Sequence, residues 1–312
     1  MCPGMATSAE RARELAARGG LGIAKAIAGR LGQHVTPANF HSTIPELPPP
    51  GDPIWSRRQD LPVDTAGQMD FVEDELAAGL AELPDAMDRF RRHGFELWNG
   101  LYQGADAGLL YALVRALGPN RVLELGSGFS SMITAAACAR NREEGRPADL
   151  VCVDPQPRTK ITDALTGIGS FERRDARELP LDRFTALEAG DILFIDTSHI
   201  VKLGSEVNLL VLEVLPKLAP GVWVHVHDLF LPYEYPRDLL VASGFFNEQY
   251  LVQALLTGNP GWEVRLAVFA LFREQRKRLV AAMPWIDRQT TEAVRPPSAF
   301  WMLSRGGEAA ES

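Results

Sequence analysis

The stretch VLELGSGFSS, residues 122–131, decides the fold. An apolar-rich run ends abruptly in two glycines and three hydroxyls gathered around one Phe. A chain places so flexible and polar a turn after a buried strand when its backbone must come close to something. Glycine leaves the backbone N–H groups accessible, and the helix that follows presents its positive end at the same point. In an open parallel sheet, ligands bind beyond the carboxyl ends of the strands, where the strand order reverses. Gly126, Ser127 and Gly128 therefore read as a cofactor turn. A nicotinamide fingerprint would read GxGxxG, and Ser131 holds its third position here. A bare GxG also occurs as a plain tight turn, so the reading depends on what surrounds it.

Outward from this turn, short apolar runs alternate with helical stretches. RVLEL (121–125), DLVCVD (149–154), SFERRD (170–175), DILFID (191–196) and GVWVHVHD (221–228) are apolar nearly throughout rather than alternating. Strands of that kind are buried on both faces, which predicts a parallel sheet covered by helices. Helices are predicted at 104–117, about 129–140, after Pro155, and at 204–218. WEVRLAVF (262–269) and PSAFWMLSR (297–305) are two further strands, with FREQRKRLVAAM between them as an exposed basic helix. Before this core, residues 7–31, 65–82 and 84–93 read as helices, and the proline-rich 35–63 as irregular. The expected organisation is an N-terminal helical and irregular extension over 1–94, a cofactor-binding domain over 95–305 and a disordered tail over 306–312.

Carboxylates follow the first four strands. Glu124 lies inside the first, where a structural strand would carry an apolar residue. Asp154 ends the second, where an acid can accept from both hydroxyls of a ribose, each charge-assisted bond contributing roughly 1.5–3 kcal/mol. Asp175 follows the third, placed to take an adenine amino proton, and Asp196 ends the fourth. Any one of them alone is an ordinary strand-end or helix-cap acid; the set is what points to a nucleoside cofactor.

Composition narrows the partners. The chain has 312 residues, 46% of them hydrophobic, and a formal net charge of -8. That is enough for a sizeable core and gives no overall attraction to nucleic acid or anionic lipid. Cys2, Cys138 and Cys152 make no CxxC or other ligand spacing, which suits a reducing, cytoplasmic setting. The start, MCPGMATSAE, lacks a basic region followed by an apolar one, and no apolar run reaches the roughly 18 residues of a membrane span. The expectation is no signal peptide and no membrane partner.

ELGSGFSS, VDP, DARELP and DILFIDTSH, taken in order, resemble the successive motifs of class I S-adenosylmethionine-dependent methyltransferases. The resemblance runs over about residues 95–305. It implies an α/β, Rossmann-like seven-stranded sheet of order 3-2-1-4-5-7-6, strand seven antiparallel, with helices on both faces. It also implies that the Gly126–Gly128 turn holds the methionine part of S-adenosylmethionine, with Glu124 or Asp196 near its amino group. Ser130 and Ser131 would meet its carboxylate, and Asn99 to Asp106 would lie beside the methionine end. Added N-terminal segments in such enzymes cover the cofactor or form a homodimer.

Two stretches carry the chemistry at the open end: IDTSHI (195–200) and HVHDLF (225–230). Adjacent parallel strands lie about 4.8 Å apart, so Asp196, His199, His227 and Asp228 can converge above the sheet. His199 stands on the acceptor side as a general base, with an ordinary imidazole value of about 6.5, and His227 is the second catalytic candidate. His225, mid-strand among valines, reads as a satisfied core histidine. Asp196 and Asp228 are hard oxygen ligands for Mg²⁺ or Mn²⁺. The DxxH spacing resembles metal-dependent sugar O-methyltransferases of macrolide biosynthesis, but their two acids at the end of strand five are here His227 and Asp228. A metal-free acid/base pair is the alternative. FLPYEYPRDLL (230–240) and FFNEQYLVQAL (245–255) form the expected substrate wall, with Phe230, Tyr233, Tyr235 and Tyr250 lining it. Asp-Thr-Ser-His after strand four, in place of the Asn/Asp-Pro-Pro-aromatic motif of base-methylating enzymes, argues with the acidic charge against nucleic acid. The acceptor is then a small molecule, and methylation at oxygen is favoured over nitrogen. Other chemistry with the same cofactor (cyclisation or aminocarboxypropyl transfer), or binding without catalysis, are the alternatives.

Overall fold

The computed structural model describes residues 20, 23–33, 35, 42, 44–56, 61–88, 95–157, 165–290 and 294–306. The chain divides into two compact units, Met1–Pro49 and Pro50–Ser312. In the first, residues 23–30 are helical; most of the helix expected over 7–31 lies outside the described residues.

The second unit is built on one seven-stranded sheet: β1 (Arg121–Leu125), β2 (Asp149–Val153), β3 (Ser170–Glu172), β4 (Ile192–Ile195), β5 (Trp223–Val226), β6 (Trp262–Ala267) and β7 (Phe300–Ser304). Their order is β3-β2-β1-β4-β5-β7-β6. β7 runs antiparallel to both β5 and β6, and the other pairs are parallel. This is the sheet expected from the sequence, and the strand order reverses between β1 and β4. The central strands are shut off from water on both faces: Leu125, Ile192–Ile195 and Val224–Val226 are all buried. That is why they read as apolar throughout.

Register brings the functional residues level. Leu125 pairs with Val153 and with Ile195, and Ile195 with Val226. One residue further along these four strands stand Gly126, Asp154, Asp196 and His227. Parallel strands in register place them in one row at the carboxyl edge.

Helices α1 (Thr65–Glu75), α2 (Ala77–Asp88), α3 (Gly104–Leu117) and α4 (Phe129–Glu143) pack around the β1 side. α3 is buried from Gly104 to Arg115, as its apolar sequence requires. Gly118, with φ of +55°, ends it in a left-handed cap. The sequence boundary at residue 95 differs from what is seen. Met69 and Val72 of α1, Leu80 and Leu83 of α2, and Leu76 between them are at most 1% exposed and share the core with α3. Burying each such side chain stabilises by roughly 1.5–3 kcal/mol, so residues 61–88 form part of the second unit rather than an appended cover. Arg115 ties them in: its guanidinium lies 2.8 Å from Glu82 of α2 and 2.7 Å from Glu144.

Other departures are local. The helix predicted at 204–218 is three short turns, Glu206–Leu209, Leu210–Val214 and Leu215–Lys217, of α, π and 3₁₀ type. Pro216, lacking an N–H and crowding the preceding turn, accounts for its broken end. The basic stretch after β6 forms two helices, Val268–Glu274 and Arg276–Ala282, and is not wholly exposed: Leu271, Phe272 and Leu279 are buried. The helix expected after Pro155 falls largely on 158–164, outside the described residues.

Candidate active site

Gly126 forms the turn after β1. Its φ is +86°, and a Cβ there would lie 1.9 Å from the carbonyl oxygen of Asp196. No other residue fits, because the turn crosses directly over the end of β4. Gly128 differs: a Cβ there would meet nothing within 4 Å. It borders a cavity of about 680 Å³ that opens along the carboxyl edge of the sheet. Gly128 N–H donates to Ser131 Oγ at 3.1 Å, starting α4 with its amino end at the cavity.

Asp154 organises the same turn. Its Oδ2 accepts from the backbone N–H and the hydroxyl of Ser127, at 2.9 and 2.8 Å, and its Oδ1 from Gln156 N–H at 2.7 Å. Asp175 also reaches the cavity, but it is paired bidentately with Arg177 at 2.9 and 2.7 Å. That guanidinium holds the Asp175 carboxyl below the usual range.

At the other end, β4 and β5 deliver a charged cluster. His199 is 6% exposed, with Nδ1 3.0 Å from Glu248 Oε2. Its Nε2 lies 3.2 Å from Asp196 Oδ1 and 3.9 Å from Asp228 Oδ2. Burial opposes charge on this ring, but the Asp196 and Glu248 carboxylates outweigh it and hold His199 well above the ordinary imidazole value. Burial likewise opposes ionisation of Asp196, but the charges of His227 and His199 hold its carboxyl well below the carboxylate range. His199 and Asp228 have φ of +60° and +54°, left-handed values that cost a non-glycine residue about 1–3 kcal/mol each. Both sit in the cluster, which is where such strain is characteristically kept.

The structure brings every residue predicted for catalysis, cofactor binding or metal binding to this cavity except Glu124 and Ser131. Glu124 stands one layer behind the wall, fully buried, accepting from Ser130 Oγ at 2.6 Å and Cys152 Sγ at 3.3 Å. Burial pushes its carboxyl up from 4.5 to about 7. Ser131 is turned into the capping contact with Gly128.

The expected substrate wall is mostly core. Phe230 and Tyr235 pack edge to face, and Phe230 and Tyr233 both pack on Phe269; of that segment only Phe246 reaches the cavity. Tyr250 is 46% exposed. His225 is buried as expected but not satisfied. Both ring nitrogens lack a partner among the described residues, and the ring stacks 4.0 Å from Phe194. Burial drives its value down and leaves it neutral.

Sequence reading missed Glu248 and Ser298, and named Tyr102 and Asp106 only within the span Asn99–Asp106 expected beside the methionine end. Tyr102 borders the cavity with its ring 4.7 Å from that of His227. Asp106 in α3 accepts from Ser298 and Ala299 N–H at 2.9 and 3.0 Å, and Ser298 Oγ donates to Asp228 Oδ1 at 2.8 Å. The residues before β7 thus fix Asp228 from behind.

Two tests of fit follow. For an adenosyl cofactor the residues suit. Gly128 leaves open space at a helix amino end, Asp154 lines the cavity at the end of β2, and the buried Tyr102 hydroxyl and His227 Nδ1 on the cavity wall lack partners among the described residues. For a divalent ion at Asp196 and Asp228 the arrangement does not suit, since the His199 ring itself joins the two carboxylates. Among the described residues no three His, Cys, Asp or Glu side chains are placed to hold a metal.

Residues 123–229 match the family model described as a methyltransferase domain. The matched stretch runs from β1 past β5, and the strand order above is the one implied by the resemblance of the sequence motifs to class I S-adenosylmethionine-dependent methyltransferases. No curated protein matches the chain. Among solved structures it is similar to a candidate O-methyltransferase from Klebsiella pneumoniae, with 15% identity over 72% of this chain and 90% of that one, and a TM-score of 0.43. A candidate methyltransferase from Thermobifida fusca gives 16% identity over 78% and 98%, with a TM-score of 0.37. An O-methyltransferase (NcsB1) from neocarzinostatin biosynthesis, in complex with S-adenosyl-L-homocysteine and 1,4-dihydroxy-2-naphthoic acid, gives 15% identity over 77% and 70%, with a TM-score of 0.34. Among the described residues no helix is long and apolar enough to cross a membrane.

Proposed function

We propose that the protein methylates a hydroxyl of a small molecule, with His199 as the general base. The observation that carries this reading is His199 itself: one buried imidazole borders the cavity past β4, with one nitrogen engaged from behind and the other turned to the acids at the cavity wall. When bound, S-adenosylmethionine supplies an electrophilic methyl group on a sulfonium. Asp154 would hold its ribose, the Gly126–Gly128 turn its methionine part, and Asp196 would stand near its amino group. Asp175, already paired with Arg177, would take the adenine side. The residues around the cavity would hold the acceptor oxygen about 3 Å from that methyl group, and the hydroxyl proton would pass to His199 Nε2. Positioning supplies most of the acceleration, and the base about 10²–10⁴-fold. His227 is the next candidate should His199 not serve.

The test is incubation of protein with methyl-labelled cofactor and candidate hydroxylated metabolites, read by mass spectrometry. Label should pass to an acceptor. His199→Asn should lower kcat by about 10²–10⁴-fold while S-adenosylhomocysteine affinity stays within a few-fold. Release of methylthioadenosine without label transfer would instead support other chemistry with the same cofactor, and an unchanged rate in His199→Asn would remove His199 as the base.

The divalent ion considered at Asp196 and Asp228 enters no step of this scheme. Turnover should therefore survive exhaustive EDTA treatment. Loss of activity that Mg²⁺ or Mn²⁺ restores would put an ion between those carboxylates and displace the His199 ring as their link.

A further inference from the structure

We propose that Glu248 is the positioning residue of this site: it fixes the ring of His199 so that Nδ1 is committed and Nε2 alone is offered to the acceptor. This rests on the reading of His199 as the base. Glu248 opens the helix α5 (Glu248–Leu256), far in sequence from the strand end that carries His199. The amino end of α5 grips that strand end through the backbone. Asn247 N–H and Glu248 N–H both donate to the carbonyl of His199, at 3.1 and 3.2 Å, and Asn247 Oδ1 accepts from Val201 N–H at 2.6 Å. These bonds bracket the residue whose backbone is left-handed, and so hold a conformation His199 would not adopt freely. Phe246 then packs 4.5 Å from the imidazole.

The Glu248 carboxylate is 1% exposed, and among the described residues its only hydrogen-bond partner is His199 Nδ1, with none at Oε1. A buried acid with a purely structural role would be satisfied by several donors. This one is committed to a single ring nitrogen. Which imidazole nitrogen reacts is set by the hydrogen bond the other one makes. An acceptor carboxylate at Nδ1 places a proton there and turns Nε2 toward Asp196, Asp228 and the cavity.

The experiment is ¹⁵N-histidine NMR of the full chain saturated with S-adenosylhomocysteine. The chain has six histidines, so the His199 signal is assigned by its absence in His199→Asn. We expect a downfield Nδ1–H resonance, slow to exchange with water. Glu248→Gln, similar in shape and still an acceptor, should keep it but move it upfield; Glu248→Ala should lose it. In methyl transfer Glu248→Ala should lower kcat about 10–100-fold, as losing a group that orients a reacting imidazole does, with KM and S-adenosylhomocysteine affinity unchanged. Glu248→Gln should recover part of the rate, and Glu248→Ala should cost nothing further in His199→Asn. A resonance absent from the wild type, or unmoved in Glu248→Ala, overturns the proposal. Should the alanine variant not fold, an unmoved resonance in Glu248→Gln does the same. If Glu248→Ala loses the resonance but His199→Asn transfers methyl at the wild-type rate, the ring is positioned as proposed and the base reading alone fails.

Discussion

The Asp196 and Glu248 carboxylates crowd His199 and raise its value well above the ordinary imidazole value, which favours the charged ring, and a charged imidazole cannot take a proton. The ring must first lose the one it holds. Turnover should therefore rise with pH, and its midpoint should lie above the ordinary imidazole value of about 6.5, not at it as the isolated residue would suggest. A flat profile of kcat from pH 6 to 9 would mean that no such ionisation gates the reaction. Asp154 has a double task at the same scale. It braces the turn through Ser127 and lines the cavity, where the proposed function has it hold the cofactor ribose. Asp154→Ala should weaken S-adenosylhomocysteine binding by about 2–4 kcal/mol, read by calorimetry. An effect below 1 kcal/mol would leave the acid as a brace only.

The element that matters most is the turn from β1 into α4. Its two glycines serve different ends, and substitution separates them. Gly126→Ala faces an unfavourable backbone conformation, worth about 1–3 kcal/mol, and a contact with the Asp196 carbonyl that cannot be relieved without moving β4. Thermal unfolding should show it clearly destabilised even without ligand. Gly128→Ala should melt with the wild type, since a Cβ there meets no protein atom, and should lose affinity for S-adenosylhomocysteine instead. Equal melting temperatures for the two variants would contradict the geometry. The sequence showed the turn and both glycines but not this division of labour, because a one-dimensional pattern does not show which glycine another strand crosses.

Across the whole molecule, burial sets the response to pH. Glu124 is enclosed beneath the cavity wall, and its folded value of about 7 exceeds the ordinary 4.5. The fold therefore favours the protonated carboxyl. The resulting stabilisation is complete below about pH 4.5, is lost as the pH rises toward about 7, and is gone above that. Glu124→Gln, permanently neutral, keeps the shape without the titration. The stability of wild type relative to this variant should fall by on the order of 3 kcal/mol as the pH is raised through that window. Asp106, which burial pushes up to about 6, drifts the same way in both proteins and cancels in the comparison. A difference independent of pH would show that Glu124 is ionised in the folded protein.

The sequence by itself determined the sheet, its strand order by resemblance, the glycine turn after β1 and the row of acids at the strand ends. Such features are local: an apolar run, a Gly pair or a terminal Asp has its meaning within a few residues. It also supplied Asp196, His199, His227 and Asp228 as a group, since register between adjacent strands makes them neighbours. Only the tertiary structure decided what stands around them. Glu248 and Ser298 come from segments 49 and 70 residues away from the groups they touch. An acid in the first turn of a helix, or a Ser before a strand, looks in one dimension like an ordinary cap. Likewise the apolar helices of residues 65–88 gave no sign of belonging to the core, because amphipathic patterning records that a face is buried and not against what.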